Sequence, residues 1–281
     1  MSTATLTTGR PARKRRSTRP RALNASASLG LGVGLLWFSL LVLIPLSAVV
    51  VEASGGGWST YKSALTNSQT VNALQLTVGV ALLTTVVNMV MGTVIAWVLV
   101  RDRFWGKRAL DLIIDIPFAM PTIVAGLVLL SLYGPQSPIG VNVANTRSSV
   151  FLALAFVTLP FIVRTVQPVL EEMETEVEDA AASLGANRLT ILRRIVLPTL
   201  VPAIFAGAAL SFARGISEYG SLVLLSGNLP NRTEVTSYRM ASLLEGGNRP
   251  AAAALATIML LVALLAIVAL DVTQRRLARR G

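Results

Sequence analysis

The sequence contains no cysteine and no histidine among its 281 residues. This excludes disulfides, thiolate or imidazole metal ligands, and any mechanism that uses a Cys or His nucleophile or base. Charge is also scarce, since 14% of the residues are charged and 53% are hydrophobic. An average soluble domain has about 25% charged residues. We therefore predict an integral membrane protein with no catalytic residue and no metal site.

Six apolar stretches are long enough to cross a bilayer, which takes about 20 helical residues. They cover residues 29–51, 74–100, 112–133, 150–170, 199–225 and 251–270. Prolines interrupt the third and fourth stretches, and membrane helices tolerate proline better than soluble helices do. The connecting loops are too short to form a catalytic domain. These stretches predict an all-α integral membrane protein with six transmembrane helices.

The net charge of +11 lies mainly on one predicted side of the membrane. Eighteen of the 25 basic residues fall in the N-terminal leader, in 101–108, in the loop 171–198 and in the C-terminal tail. This alternation between loops follows the positive-inside rule and predicts a multi-pass protein of the cytoplasmic membrane, with both termini in the cytoplasm. A nucleic-acid surface would concentrate the charge and add stacking aromatics, so we predict no nucleic-acid partner. Residues 1–27 are predicted to form a basic cytoplasmic leader that touches anionic membrane lipid.

The first apolar stretch follows a basic segment, as the apolar region of a secretory signal does. A signal has an apolar region of only 7–15 residues, and this stretch is longer. We therefore predict a retained first transmembrane helix over residues 28–52.

The loop at 171–198 joins an acidic segment to a basic one. Six of the chain's 14 acidic residues lie within 171–179, where they would favour the positive end of a helix dipole. Gly185 predicts a helix end in the left-handed conformation, and Asn187 predicts the N-cap of a second, basic helix. Pro198 predicts the change into the fifth transmembrane helix. An apolar stripe at helical spacing accompanies the acids: Met173, Val177, Ala180, Ala181 and Leu184.

This helix pair has two possible uses. It could lie on the lipid surface or dock a protein partner beneath the membrane. Helices that lie on lipid are normally basic, and anionic lipid would repel the acidic first helix. The acidic segment therefore favours a protein partner.

The loop also resembles the coupling motif of ABC-importer permeases. The matching residues are Asp179-Ala180-Ala181, Gly185, Ile195, Leu197 and Pro198, with three residues before the glycine and nine after it. In that family the motif begins with Glu, and here Asp179 keeps the charge on a shorter side chain. The motif forms coupling helices that sit in a groove of a cytoplasmic ATPase. The resemblance implies a type I ABC importer permease (MetI-like) fold over residues 72–272, coupling helices at 171–198 and a cytoplasmic tail at 273–281.

The chain itself has no G-x-x-x-x-G-K-[ST] phosphate-binding loop. ATP and Mg²⁺ are therefore expected on a partner ATPase chain, and no cofactor is expected on this one. This chain would be a non-catalytic permease subunit.

A second run of motifs is similar to the sulfate/thiosulfate permeases, and to the T-type subunit of that pair. It consists of Ala209-Leu210-Ser211-Phe212, Arg214, Glu218-Tyr219-Gly220, Gly227-Asn228 and Thr233-Glu234-Val235-Thr236. The resemblance implies import of sulfate and thiosulfate. The implied partners are a second sulfate permease subunit, a dimer of ATP-binding subunits and an extracytoplasmic sulfate-binding protein. Molybdate permeases are near relatives and remain an alternative, as does a secondary anion transporter.

Two sets of charges fall within or beside the predicted spans. Arg214 and Glu218 are four residues apart and could form an ion pair, which would be structural or would line the anion path. Ser211 and Tyr219 are the other candidates for the path or gate. At the inner interface we expect Lys107 to pair with Asp111, and Arg164 to extend toward the membrane surface. The sequence alone leaves the role of each set open.

Overall fold

The computed structural model describes residues 25–278, which form helices joined by short connections. The chain divides into two units, Met1–Ala48 and Val49–Gly281. The helix Ser28–Gly55 begins in the first unit, is 28 residues long and is apolar enough to cross a membrane. It consists of α1 (Ala25–Phe38) from Ser28 onward, a π-helical segment (Ser39–Leu43) and α2 (Ile44–Gly55). Residues 1–24 of the predicted leader lie outside the described residues.

The second unit is built from α3 to α13. Their bounds are α3 Gly57–Thr66, α4 Ser68–Arg101, α5 Lys107–Ala119, α6 Thr122–Tyr133, α7 Arg147–Glu172, α8 Thr175–Ser183, α9 Arg188–Ile191, α10 Leu197–Ile216, α11 Gly220–Leu225, α12 Thr236–Glu245 and α13 Arg249–Ala278. Within residues 25–278, five helical runs are long and apolar enough to span a membrane, and α5 with α6 forms a bent sixth candidate. The predicted all-α fold with six spans is confirmed, but the tail predicted at 273–281 is helical as far as Ala278.

The third predicted span is broken rather than continuous. Helices α5 and α6 meet at an angle of 119°. Pro121 has no N–H to continue the helix, and it disfavours helical backbone at the residue before it. Met120 is accordingly extended, with φ −104° and ψ 145°. The predicted stretch 112–133 is therefore a broken span, with its break at Pro121, one of the prolines that interrupt it.

The fifth predicted span starts earlier and ends earlier than expected. One helical run covers Arg188–Ile216, and it includes the π-helical segment Leu192–Val196 between α9 and α10. The Leu197 N–H donates to the Leu192 carbonyl, five residues back, so the helix continues into Pro198 without a break. Helix α10 begins at Leu197, beside the predicted boundary at Pro198, but it ends at Ile216, so the predicted span 199–225 is not one continuous helix. After Ile216 the chain turns before the short α11 begins.

Helices α4, α7 and α10 form the centre of the second unit. Two apolar clusters fill it at different depths, one around Leu154 and Phe212 and the other around Ile162 and Leu200. Buried polar side chains of α4 and α7 lie between them. The Asn88 side-chain amide donates to the Thr158 hydroxyl at 2.9 Å, which satisfies both groups inside the bundle.

The bundle has two differently built ends. Helices α4 and α7 both end beside α8, because Arg101 contacts Glu178 there. They both begin beside the loop 226–236, because Gln69 bonds Glu234 and Arg147 bonds the Arg232 carbonyl. We call the first the helix-pair end, after α8 and α9, and the second the loop end.

Candidate coupling and translocation sites

The bend between α8 and α9 is set by local backbone chemistry. Gly185 has φ +86°, and the Gly185 N–H donates to the Ala182 carbonyl at 2.9 Å. The Ala186 N–H donates to the Ala181 carbonyl at 3.0 Å, which completes a Schellman motif. Asn187 then caps α9 by accepting from the Thr190 N–H at 2.8 Å. The predicted helix end at Gly185 and the predicted N-cap at Asn187 are both confirmed.

The acidic segment is divided between two helices. Helix α7 continues to Glu172, so Glu171 and Glu172 lie at its C-terminal end, away from the positive end of any dipole. Only Glu176 and Glu178 occupy the first turn of α8. Met173 lies in the connection and is not part of the predicted apolar stripe on α8. One continuous acidic helix start was therefore the wrong expectation.

Helix α8 presents its apolar side chains to the surroundings. None of its residues is buried, and Val177 and Leu184 are 50% and 90% exposed. Asp179 and Ala180 are exposed, as is Gly185, while Ala181 is half-buried. The predicted apolar stripe on α8 is thus left uncovered by the described residues at Val177 and Leu184. The remaining predicted coupling residues lie further along: Ile195 in the π-helical segment, and Leu197 and Pro198 at the start of α10.

An ion pair that the sequence did not predict ties α8 to α4. Arg101, the last residue of α4, donates to the Glu178 carboxylate at 2.7 Å. Its guanidinium also lies 5.9 Å from the centre of the Trp97 ring. Both charged side chains are only 16–20% exposed, so the pair is less screened than a surface pair. The available signal was an arginine ending an apolar helix on the same predicted side as the acidic segment.

The Arg214–Glu218 pair is present near the loop end. An Arg214 guanidinium nitrogen lies 2.7 Å from a Glu218 carboxylate oxygen. Glu218 is 1% exposed and follows the end of α10, so the pair crosses a chain turn rather than a helical face. Its other oxygen accepts from the Ser221 N–H and the Ser221 hydroxyl, both at 2.9 Å. The buried carboxylate accepts two hydrogen bonds from Ser221 and forms an ion pair with Arg214, which holds the nearby guanidinium in place.

The other two path candidates occupy different environments. Ser211 is 1% exposed, and its hydroxyl has no hydrogen-bond partner among the described residues. Tyr219 is 41% exposed and stacks on Tyr238, with the ring centres 6.4 Å apart. The four residues therefore cluster along the end of α10, but only Arg214 and Glu218 bond each other.

Arg164 joins α7 to α5. Its guanidinium bonds both Asp115 carboxylate oxygens, at 2.7 and 2.8 Å, and one Asp111 oxygen at 2.7 Å. Lys107 instead donates to the Asp102 carbonyl at 3.4 Å. The expected Lys107–Asp111 pair was wrong, because Arg164 holds Asp111 instead. Arginine holds two carboxylates here because its planar fork presents several donors at once.

The fold and the exposed helix pair define a membrane permease of the ABC-importer class. Residues 88–280 match the family model described as "binding-protein-dependent transport system inner membrane component", and the chain belongs to that family. Members are transport components of the membrane and have no catalytic activity of their own.

Within this family the chain is similar to proteins named sulfate transport system permease protein CysT. It is 42% identical to the CysT of Salmonella typhimurium over 260 residues, which covers 90% of this chain and 94% of that one. It is 41% identical to the Escherichia coli CysT with the same coverage. The CysT of Synechocystis is 38% identical over 257 residues.

Two solved structures share the fold. A chain of a bacterial alginate ABC transporter, crystallised with an alginate pentasaccharide-bound periplasmic protein, superposes with a TM-score of 0.74 at 18% identity. That match covers 89% of this chain and 94% of the other. A chain of the MetNI methionine ABC transporter superposes with a TM-score of 0.55 at 17% identity and covers 75% of this chain. The fold is therefore the type I ABC importer permease (MetI-like) fold.

Proposed function

We propose that this chain is the permease subunit of an ATP-driven importer that carries sulfate, and thiosulfate as a second substrate, into the cell. The proposal is supported by the 38–42% identity to three sulfate permeases over about nine tenths of the chain. Its partners would be a second sulfate permease subunit, a dimer of ATP-binding subunits and an extracytoplasmic sulfate-binding protein. ATP and Mg²⁺ would be bound by the ATP-binding subunits.

The exposed helix pair α8–α9 supports the part of the proposal that concerns docking of the ATPase. Asp179, Ala180, Ala181 and Gly185 would form the surface that the ATPase grips, beside the 90% exposed Leu184. The small side chains of Ala180 and Ala181 allow another backbone to approach closely. Ile195, Leu197 and Pro198 would act at the junction with the membrane rather than at the grip itself.

Charge supports an orientation with the helix-pair end in the cytoplasm. The basic residues of the Arg101 segment and of α9 lie at this end, as the positive-inside rule requires. Both termini would then be cytoplasmic, with the basic leader against anionic lipid.

Transport would follow from rigid-body movement. Closure of the ATPase dimer would displace α8 and α9, and the spans joined to them would switch access from one side of the membrane to the other. The Arg101–Glu178 ion pair links α8 to α4, so the two helices would move together.

The cluster at the end of α10 would serve the anion path. Arg214 is 30% exposed while its partner Glu218 is buried, so the cationic member is the one an anion can approach. The buried carboxylate would offset the charge of Arg214 and prevent tight binding, which a conduit must avoid. Ser211 and Tyr219 would line the same segment.

Uptake of labelled sulfate tests the function directly. A strain that lacks its own sulfate importers would receive this chain together with the candidate partner subunits. We expect uptake that stops when ATP is depleted and persists when the proton gradient is collapsed with ATP maintained. Competition by unlabelled thiosulfate but not by molybdate would support the proposed substrates. Uptake that depends on the proton gradient alone would contradict it, and preferential competition by molybdate would reassign the cargo.

A further inference from the structure

Arg239 in α12 is a half-buried arginine whose guanidinium has no partner among the residues that the structure describes. Within the described part of the chain, four arginines are half-buried: Arg101, Arg164, Arg214 and Arg239. The first three bond carboxylates. Arg239 makes neither an ion pair nor a side-chain hydrogen bond with residues 25–278, and its Nε is sealed from solvent. Leaving a buried donor of a charged group unpaired is costly, so an acceptor is expected there.

Arg239 lines a cleft at the loop end of the bundle. The cleft has a volume of about 300 Å³ and lies where α3, α12 and the first turns of α4 and α13 meet. Its polar lining consists of Ser59, Thr60, Ser63, Asn67, Thr70, Asn248 and Arg239. No aspartate or glutamate is among the lining residues, so the charge of Arg239 is not neutralised within the cleft.

The side-chain oxygens of the two lining asparagines already accept backbone N–H groups. The Asn67 carbonyl oxygen already accepts from the Thr70 N–H at 3.0 Å, as the N-cap of α4. The Asn248 carbonyl oxygen accepts from the Ala251 N–H at 3.2 Å. Each side chain therefore has its NH₂ group left to donate. The Ser63 hydroxyl is likewise without a protein partner among the described residues.

We propose that this cleft binds a tetrahedral oxyanion. A guanidinium holds two oxygens of such an ion at once, and hydroxyl and amide donors can reach the others. The volume is at the small end for ligand pockets and suits an inorganic ion with a few waters. The site is separate from the Arg214–Glu218 pair. It rests on the cleft's own chemistry and does not require that sulfate be the transported substrate.

Equilibrium binding of labelled inorganic sulfate to the purified full-length chain in phospholipid-free detergent tests the site. The substitution Arg239→Gln is expected to weaken binding roughly 10- to 100-fold, since it removes hydrogen bonds to a charged group. The matched control is Arg232→Gln, which changes an exposed arginine of the neighbouring loop and is expected to leave the affinity unchanged. Equal loss in both variants, or no sulfate binding by the unmodified chain, would overturn the proposal.

A second variant covers the case in which Arg239→Gln does not fold. Ser63→Ala removes one exposed hydroxyl and is expected to weaken sulfate binding about tenfold, the lower value of one hydrogen bond to a charged ion. Unchanged affinity in that variant would remove Ser63 from the site and count against the cleft.

Two competitors identify the ion that the cleft prefers. Acetate should displace sulfate poorly, and displacement as effective as that by unlabelled sulfate would overturn the tetrahedral assignment in favour of a protein carboxylate. The second competitor is phosphatidylglycerol. If it abolishes sulfate binding to the unmodified chain, the natural ligand of the cleft is a lipid headgroup phosphate. If it leaves sulfate binding unchanged, the ligand is a free ion. Because binding is measured apart from uptake, failure of this site and failure of the transport proposal give different results.

Discussion

The two ends of the helical bundle differ in how deeply their residues are buried. At the loop end, Ser226, Thr233, Glu234, Val235 and Thr236 are all at most 3% exposed. Their backbone and side chains bond to α4 and to one another, as in the Thr236 N–H to Thr77 hydroxyl bond at 2.9 Å. At the helix-pair end, α8 has no buried residue.

The loop end therefore buries the side chains of its own loop, whereas the helix-pair end leaves every residue of α8 at least partly exposed. Apart from the cleft around Arg239, the loop segment 226–236 bonds its own buried polar groups, so substitutions that break those bonds should act on stability. The helix-pair end has strong local structure at its bend but leaves its apolar side chains uncovered. Substitutions there should act on coupling and leave the folded chain intact. Four substitutions test this contrast, in order of decreasing effect on transport.

The largest effect is expected from Gly185→Pro. Proline fixes φ near −65°, which is incompatible with the observed +86°, and it removes the N–H that bonds Ala182. Strain of roughly 1–3 kcal/mol would distort the bend, and uptake should fall at least about tenfold at normal membrane levels. Gly140→Pro is the matched control at the loop end, because Gly140 has φ +74° and also donates to a nearby carbonyl. An equal loss of uptake in Gly185→Pro and Gly140→Pro would contradict the proposed difference between the two ends of the bundle.

Leu184→Asp should have the second largest effect on transport. The leucine is 90% exposed, so the free chain should keep its thermal stability. If a partner covers this side chain, burying a carboxylate there should reduce co-purification of the ATPase by about tenfold. Ile139→Asp changes an exposed apolar residue near the loop end, 54% exposed, and serves as the control. Undiminished co-purification with Leu184→Asp would show that α8 does not carry the docking surface.

Arg101→Gln should have an intermediate effect. It leaves the poorly exposed Glu178 without its partner and frees α8 from α4. A loss of about 1–2 kcal/mol in that contact would lower uptake severalfold, since α8 could move without moving the span. The double variant Arg101→Glu with Glu178→Arg reverses the pair and should recover part of the loss. Full activity in Arg101→Gln would mean that the pair plays no part in transmission.

Thr77→Val should have the smallest effect on transport and a clear effect on stability. It removes the acceptor of the buried Thr236 N–H while it keeps the side-chain shape. Leaving that donor unsatisfied should cost about 1–3 kcal/mol, measured as a lower melting temperature of the detergent-solubilised chain. Thr66→Val, at an exposed hydroxyl, is the control and should change neither quantity. A drop in uptake per folded molecule would contradict the assignment of the loop end to stability.

Local chemistry was readable from the sequence, and long-range partners were not. The Schellman end at Gly185 and the N-cap at Asn187 depend on neighbouring residues, so composition and spacing were enough to predict them. Arg164 pairs with carboxylates 49 and 53 positions away, and Arg101 with one 77 positions away. Several acids compete for each arginine in the sequence, and only helix packing decides among them.

The prolines illustrate a second limit. Pro121 breaks a span, whereas Pro198 is accommodated within a continuous helix by a π-helical segment. Both residues lack an N–H, and the sequence offers the same local argument for each. The outcome depends on whether the neighbouring helices favour a sharp turn or a continued run, which is a property of packing.

The π-helical segment at Leu192–Val196 has a mechanical consequence. Because the helix continues through Pro198, Arg188–Ile216 is one helical run of 29 residues, about 43 Å long. If the run tilts as a unit by about 5° about one end, its other end moves sideways by about 4 Å. A tilt of this kind would link movement near Asn187 to movement near Arg214, two ends of the same helical run.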